Sequence, residues 1–302
     1  MSREFVDIHA DDYAYSLHTS MDMLECMKEG KLDSISIICN TSGFADSMDL
    51  LYKAIPSLHF LPLMSIHLNL PEGKGVTDLL PVSWARLFLA SYSPAGKRMK
   101  EKLKQELKWQ IDTAQEAINK CLRIAADSGM EIRQKGIRLD SHVHTHPLPI
   151  VWKALTEVIE EEGYDVEYIR NPKEPIMPFL KRTALIPTYG IANILKNRIL
   201  MFYSGKIDRY CDQHKTDRMY MWGLMMSGHM DYDRVRTVYE SMLEKAQADH
   251  RKLELLFHPG MAKEDEYSSE MDPNYFRDSN MSENRHIEKN AVMKIEEITG
   301  ER

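Results

Sequence analysis

The sequence predicts an α/β protein, an irregular (β/α) barrel related to the TIM type with about seven parallel strands. Three observations predict it. Short β-rich runs recur along the chain, segments of helical composition lie between them, and polar residues collect where the β-rich runs end. Alternating strands and helices are the pattern of a parallel sheet. Groups at the C-terminal ends of parallel strands converge on one face of a barrel.

In chain order, FVDIHA (5–10) is the first run, and it leads into Asp11 and Asp12. LHTSMDMLECMKEGK (17–31) has helical composition and starts next to Ser16, a residue type that caps helices. SISIICN (34–40) ends at Asn40, and MSIHLNL (64–70) carries His67 and Asn69. The Lys-rich stretch at 97–129 reads as a long amphipathic helix. Such a helix packs first on its own barrel, although its surface also admits a homodimer. GIRLDSH (136–142) runs into a histidine cluster, and YDVEYIR (164–170) ends at Arg170. MYMWGL (219–224), the helical segment 232–253 and LELLFH (253–258) complete the alternation, the last ending at His258 before Pro259 and Gly260. The polar, turn-rich stretch 262–280 reads as a surface loop ahead of a C-terminal helix.

A chain of 302 residues can bury a large core, and we expect one domain over 1–302. With 43% hydrophobic residues and no 18-residue apolar run, a membrane span is not expected. The start, MSREFVDIHADD, carries acids and lacks the apolar core of a secretory signal, so the cytoplasm is the expected location. Cys26, Cys39, Cys121 and Cys211 are scattered, which disfavours a disulfide framework or a cysteine zinc site. A net charge of −7 without a long basic run gives no reason to expect nucleic acid as a partner. The 20 methionines read as core fillers.

DSHVHTHP (140–147) carries the densest chemistry. If it is extended, Asp140, His142, His144 and His146 share one face. At roughly 3.3 Å per residue, His142 and His146 lie about 13 Å apart, so at most one adjacent pair can share an ion with bonds of about 2.1 Å. The remaining ligands must come from elsewhere. Asp11 and Asp12 offer one carboxylate to a cation and one to a water bound on it, the two tasks a hydrolytic metal site needs. Acidic pairs also occur as solvated helix starts. A lone strand histidine is usually a satisfied core residue, but His67 with Asp12 and His142 makes a two-histidine, one-carboxylate set with open positions. His258 stands where a general acid could reach a leaving group, and Arg170 could neutralise or orient a carboxylate.

The ordered motifs HADDYAYS, SIHLNL, DSHVHTHP and LLFHPG resemble those of the YdjC-like carbohydrate deacetylases, which include chito-oligosaccharide deacetylases. The resemblance runs from about residue 5 to 260; WGLMMSGH and the NRHIEKNAV region also look like elements of that family. It implies an irregular (β/α) barrel, a divalent ion held by Asp12, His67 and His142, Asp11 as general base and His258 as acid. Asp140, Asn69, His144, His146 and Arg170 would then face substrate or support the ligands. The family pattern N-A-D-D-F-G is departed from at His9, Tyr13 and Ala14. Alanine tolerates positive φ less well than glycine, so the loop after Asp12 is expected to take another path.

The expected activity is metal-dependent removal of an acetyl group from an N-acetylated saccharide. Rival readings are a metal-dependent phosphoesterase and a carbohydrate-binding or regulatory protein on the same fold. Two imidazoles and a carboxylate suit several divalent ions, of which magnesium or zinc is expected.

Overall fold

The computed structural model describes residues 5–94 and 96–300; the first four residues of the segment read for an export signal lie outside them. The seven β-rich runs become β1 (Val6–Tyr13), β2 (Ser34–Ile37), β3 (Leu63–Leu68), β4 (Ile137–Ser141), β5 (Val166–Ile169), β6 (Met219–Trp222) and β7 (Lys252–Phe257). They form one seven-stranded sheet in the order β5-β4-β3-β2-β1-β7-β6, and every neighbouring pair is parallel. β5 and β6 are its two edges, so the irregular barrel is a curled half-barrel.

Between and after the strands lie α1 (Leu17–Lys28), α2 (Phe44–Ala54), α3 (Trp84–Ala90), α4 (Gly96–Asp127), α5 (Pro149–Glu162), α6 (Met177–Leu180), α7 (Ile191–His214), α8 (Tyr232–Ala248), α9 (Pro273–Tyr275), α10 (Asn284–Met293) and α11 (Ile295–Thr299). Ser16 caps α1, its hydroxyl accepting the Thr19 N–H at 3.2 Å, so the neighbouring Asp11 and Asp12 are free for other work. In α4 the buried positions Leu103, Leu107, Ile111, Ala114, Ile118, Cys121 and Ala125 recur at helical spacing and pack on the chain's own core. Three of its lysines are matched by acids of α5: Lys100 pairs with Glu157 at 2.6 Å, Lys104 with Glu161 at 2.5 Å and Lys108 with Glu162 at 2.6 Å. All four cysteines are buried and free. No helix among the described residues is long and apolar enough to cross a membrane.

The gap between the edge strands is bridged by side-chain and loop contacts. The Met221 N–H donates to the Lys173 carbonyl at 3.2 Å. Glu174, fully buried, accepts the N–H groups of Gly223, Leu224 and Met225 at 2.9, 3.0 and 2.8 Å, and the Asn197 amide of α7 at 3.1 Å. One carboxylate thus ties the end of β6 to α7 across the open side. Buried donors left without an acceptor are costly, so Glu174→Ala is expected to lower the unfolding free energy by roughly 2–3 kcal/mol. Urea titration with an unchanged midpoint would show that the loop after β6 finds its acceptors elsewhere.

Candidate active site

The site begins at the end of β1. Asp12 (φ 70°) and Ala14 (φ 69°) both enter the left-handed region, and the Tyr15 N–H returns to the Asp12 carbonyl at 3.1 Å. Ala14 thus adopts the positive φ that alanine tolerates less well than glycine. Its backbone adopts positive φ, held by a hydrogen bond from the Ala14 N–H to Ser20 Oγ at 2.9 Å and by its carbonyl, which accepts from Thr41 Oγ1 at 2.5 Å.

The histidine cluster also departs from the expected extended geometry. β4 ends at Ser141, and residues 142–144 form a tight helical turn in which Val143 (φ 45°) and His144 (φ 57°) are left-handed. A β-branched residue in that region is strained. Alternation therefore stops at Ser141, and the three histidines separate in role. His142 turns to Asp12, its Nδ1 lying 3.0 Å from Asp12 Oδ1. His146 becomes a strut, bonded to Ser141 Oγ at 2.6 Å and to the Arg170 carbonyl at 2.7 Å, and burial pushes it down to about 4. His144 is buried, and burial with nearby Lys196 and Arg170 holds it well below the usual imidazole range.

On β3, His67 stands beside Asp140 of β4 in the strand register, and its Nδ1 bonds Asp140 Oδ1 at 2.6 Å. That leaves Nε2 facing Asp12, 3.5 Å from Oδ1. Orientation of a ligand histidine by a carboxylate is a recurrent feature of metal centres. Asp12, His67 and His142 each present a donor atom within 4.8 Å of the others, and all three are buried. The donor chemistry fits one divalent ion with open positions. Two further groupings, Asp7/His9/Glu254 and His9/Asp11/Asp140, come equally close, but Arg170 and the Ser34 and Ser36 hydroxyls already engage them.

Charge supports the same assignment. The buried carboxylates Asp11, Asp12, Asp140 and Glu254 face two guanidiniums, Arg170 and Arg285. Burial disfavours a charged His67, yet Asp11 and Asp140, with hydrogen bonds to Asp12 and Asp140, push it up to about 10. The negative charge that holds a proton on His67 would equally favour a cation that displaces it.

Arg170, fully buried, is the hub beneath the site. It holds Asp11 with two contacts of 2.9 Å, reaches Asp140 at 3.1 Å and pairs with Glu254 at 2.6 Å. Burial would raise Asp11, but Arg170 and His67 outweigh it and hold the carboxyl well below the usual range. Arg285 of α10 grips Asp12 Oδ2 at 3.0 Å, leaving Oδ1 to the histidines. Asn69 organises a loop: its side chain donates to Asn40 at 3.1 Å and accepts the Glu72 N–H at 3.3 Å. His258 directly follows β7 and lines a polar cavity of about 260 Å³, its backbone N–H donating to Glu288 at 2.6 Å. His142 lines a different cavity, of about 650 Å³, and Tyr275 lines both. The geometry does not group His258 with the three donors.

Several of these residues have no role in the sequence reading. His9 links Ser34, Ser36 and Asp11 at 2.6, 2.7 and 3.0 Å, and the Ser36 hydroxyl donates a hydrogen bond to Asp140. Ser34 and Ser36 alternate along β2, and Glu254 is the one acid in the apolar run LELLF, so period-two polarity was a usable signal. Glu72 accepts the Asp272 N–H at 2.9 Å and puts its other oxygen 3.8 Å from His142 Nε2, and burial raises its carboxyl. Within the polar stretch 262–280, Met271, Phe276 and Asn280 are buried, and the Tyr275 ring stands edge-on to His142 with centroids 5.1 Å apart.

The model of a family described as YdjC-like protein matches residues 6–122 and 134–296 of this chain. A carbohydrate deacetylase of Brevibacillus brevis is 26% identical over 161 residues, 53% of this chain and 58% of that protein. One of Xenopus laevis is 23% identical over 167 residues, 55% of this chain and 50% of that protein. The matched stretch thus spans about half the length of these curated relatives. In fold, the chain is similar to a crystal structure from Enterococcus faecalis V583 described as a cellobiose-phosphate cleavage protein. That match has a TM-score of 0.52 and 14% identity, and covers 98% of this chain and 92% of that one.

Proposed function

The chain belongs to the YdjC-like protein family, and on that premise we propose that it removes an acetyl group from an N-acetylated saccharide with one divalent ion held by Asp12, His67 and His142. The observation that carries this reading is the meeting of those three buried donors in a cluster with excess negative charge. The curated relatives named carbohydrate deacetylases support the sugar substrate. We read residues 1–302 as a single deacetylase-like domain.

An ion there would lower the pKa of a bound water and polarise the acyl carbonyl. The chain's own residues do the rest. Asp11, kept ionised by Arg170, takes the proton from the attacking water. Asp140 orients His67 and Arg285 orients Asp12, so both present fixed lone pairs. His258 gives a proton to the departing amine; this requires substrate to reach past Tyr275, which lines both cavities.

The reading is tested by acetate release from N-acetylated mono- and oligosaccharides after metal reconstitution, with Asp12→Asn as control. Removal of the anionic ligand is expected to weaken zinc binding by at least about tenfold, seen by equilibrium dialysis, and to abolish release. An Asp12→Asn protein that binds zinc and releases acetate as before would refute the assignment. Release of phosphate from sugar phosphates, with no acetate from any sugar, would establish the phosphoesterase reading.

A further inference from the structure

The cavity that His142 lines is far larger than an acetyl group, at about 650 Å³, within the range of sites that enclose a drug-sized molecule. One side of it is apolar. Pro71, Pro81, Trp84, Leu195 and Ile199 line it together with the strained Val143. α7 contributes Ala192, Leu195, Lys196 and Ile199, which are i, i+3, i+4 and i+7 on one helix face. Leu195 lines the cavity yet is 60% exposed, and Ile191, one turn earlier, is 84% exposed, so apolar surface continues outward from the cavity.

Sugar hydroxyls need hydrogen-bond partners when they leave water. Among the described residues, the polar side-chain groups that α3, its cap and α7 give to this wall are Ser83, Lys196 and the indole N–H of Trp84, which is buried. Ser83 caps α3, its hydroxyl oxygen accepting the Arg86 N–H at 3.3 Å. Lys196 is half-buried, and burial pushes its ammonium down to about 8, as apolar surroundings would. The polar groups Glu72 and His142 sit together elsewhere on the lining, 3.8 Å apart. The cavity therefore has a polar end at the candidate centre and an apolar side along α3 and α7.

Resting on the deacetylase reading, we propose that the substrate is an N-acetylated amino sugar linked to an apolar aglycone, an alkyl or aryl group that packs on Trp84, Leu195 and Ile199. Its acetamide C–N bond is the bond that breaks. The water oxygen joins the acetyl carbon to give acetate, the amine takes the proton, and the aglycone stays attached and unreacted.

The test is calorimetric binding of methyl, butyl and hexyl β-glycosides of N-acetylglucosamine to the metal-reconstituted protein, with acetate release followed in parallel. Each methylene that enters the apolar wall is expected to lower Kd about fourfold. Leu195→Gln, at an exposed position that folding tolerates, is expected to flatten that gradient. Equal affinity for the three glycosides would overturn the proposal, as would an unchanged gradient in Leu195→Gln. Tightening only when the N-acyl chain is lengthened on the methyl glycoside would overturn it too. An affinity gradient without acetate release would leave the aglycone site standing and fail the deacetylase reading; acetate release without a gradient would do the reverse.

Discussion

Asp11→Asn is expected to reduce kcat for acetate release by about 10²- to 10⁴-fold while the protein still binds its metal, the usual contribution of a positioned general base. Asparagine keeps the shape of the side chain, and Arg170 and His9 remain to hold it. What disappears is the anionic oxygen proposed to accept the proton. Asp12 and the two histidines are untouched, so metal content should match the parent protein, and this separates loss of the base from loss of the ion. Because Arg170 and His67 keep Asp11 ionised well below the usual carboxylate range, the acid limb of the activity profile is not set by its titration. A folded, metal-loaded Asp11→Asn protein with full activity would remove Asp11 from the mechanism.

Arg170→Met is expected to destabilise the fold by roughly 3–5 kcal/mol, because breaking a buried pair strands the partner charges. Here the stranded groups are Asp11, Asp140 and Glu254, all inside the half-barrel. The pH dependence has a definite sign. Arg170 lowers the folded values of Asp11 and Asp140, so their stabilisation is present above the unfolded carboxylate value and is lost as pH falls through the lower folded one. In Arg170→Met that acid-side loss should shrink, since the two carboxyls no longer have a depressed value to titrate through. Urea midpoints followed from neutral to acid pH would check both effects. A variant as stable as the parent at neutral pH would mean that the carboxylates find protons or other partners without strain.

How much of this was legible depended on distance along the chain. Every β-rich run became a strand because period-two patterning and β-branched residues act locally. The polar strand ends converged because parallel strands put their C-terminal ends on one side. His67, His142 and Asp12 were readable as a set on residue type and strand position. The turn at His142 was not, because its left-handed Val143 has no local sequence signal such as glycine. The positive φ of Ala14 was not legible for the related reason that neighbouring hydrogen bonds hold a conformation alanine alone disfavours. Arg170 was noticed, but its partner Asp11 lies 159 residues away, and Arg285 reaches Asp12 across 273 residues. No periodicity reports such pairings.

The sequence by itself determined the parallel α/β architecture, the order of its strands along the chain and the residue types gathered at their ends, all of which follow from local patterning and the geometry of parallel strands. Tertiary structure alone decided which carboxylate each guanidinium holds, which histidine turns to Asp12, and that α3 and α7 set an apolar wall beside His142. Those outcomes depend on which side chains meet after the sheet curls, and contacts between distant segments are set by packing and charge in three dimensions.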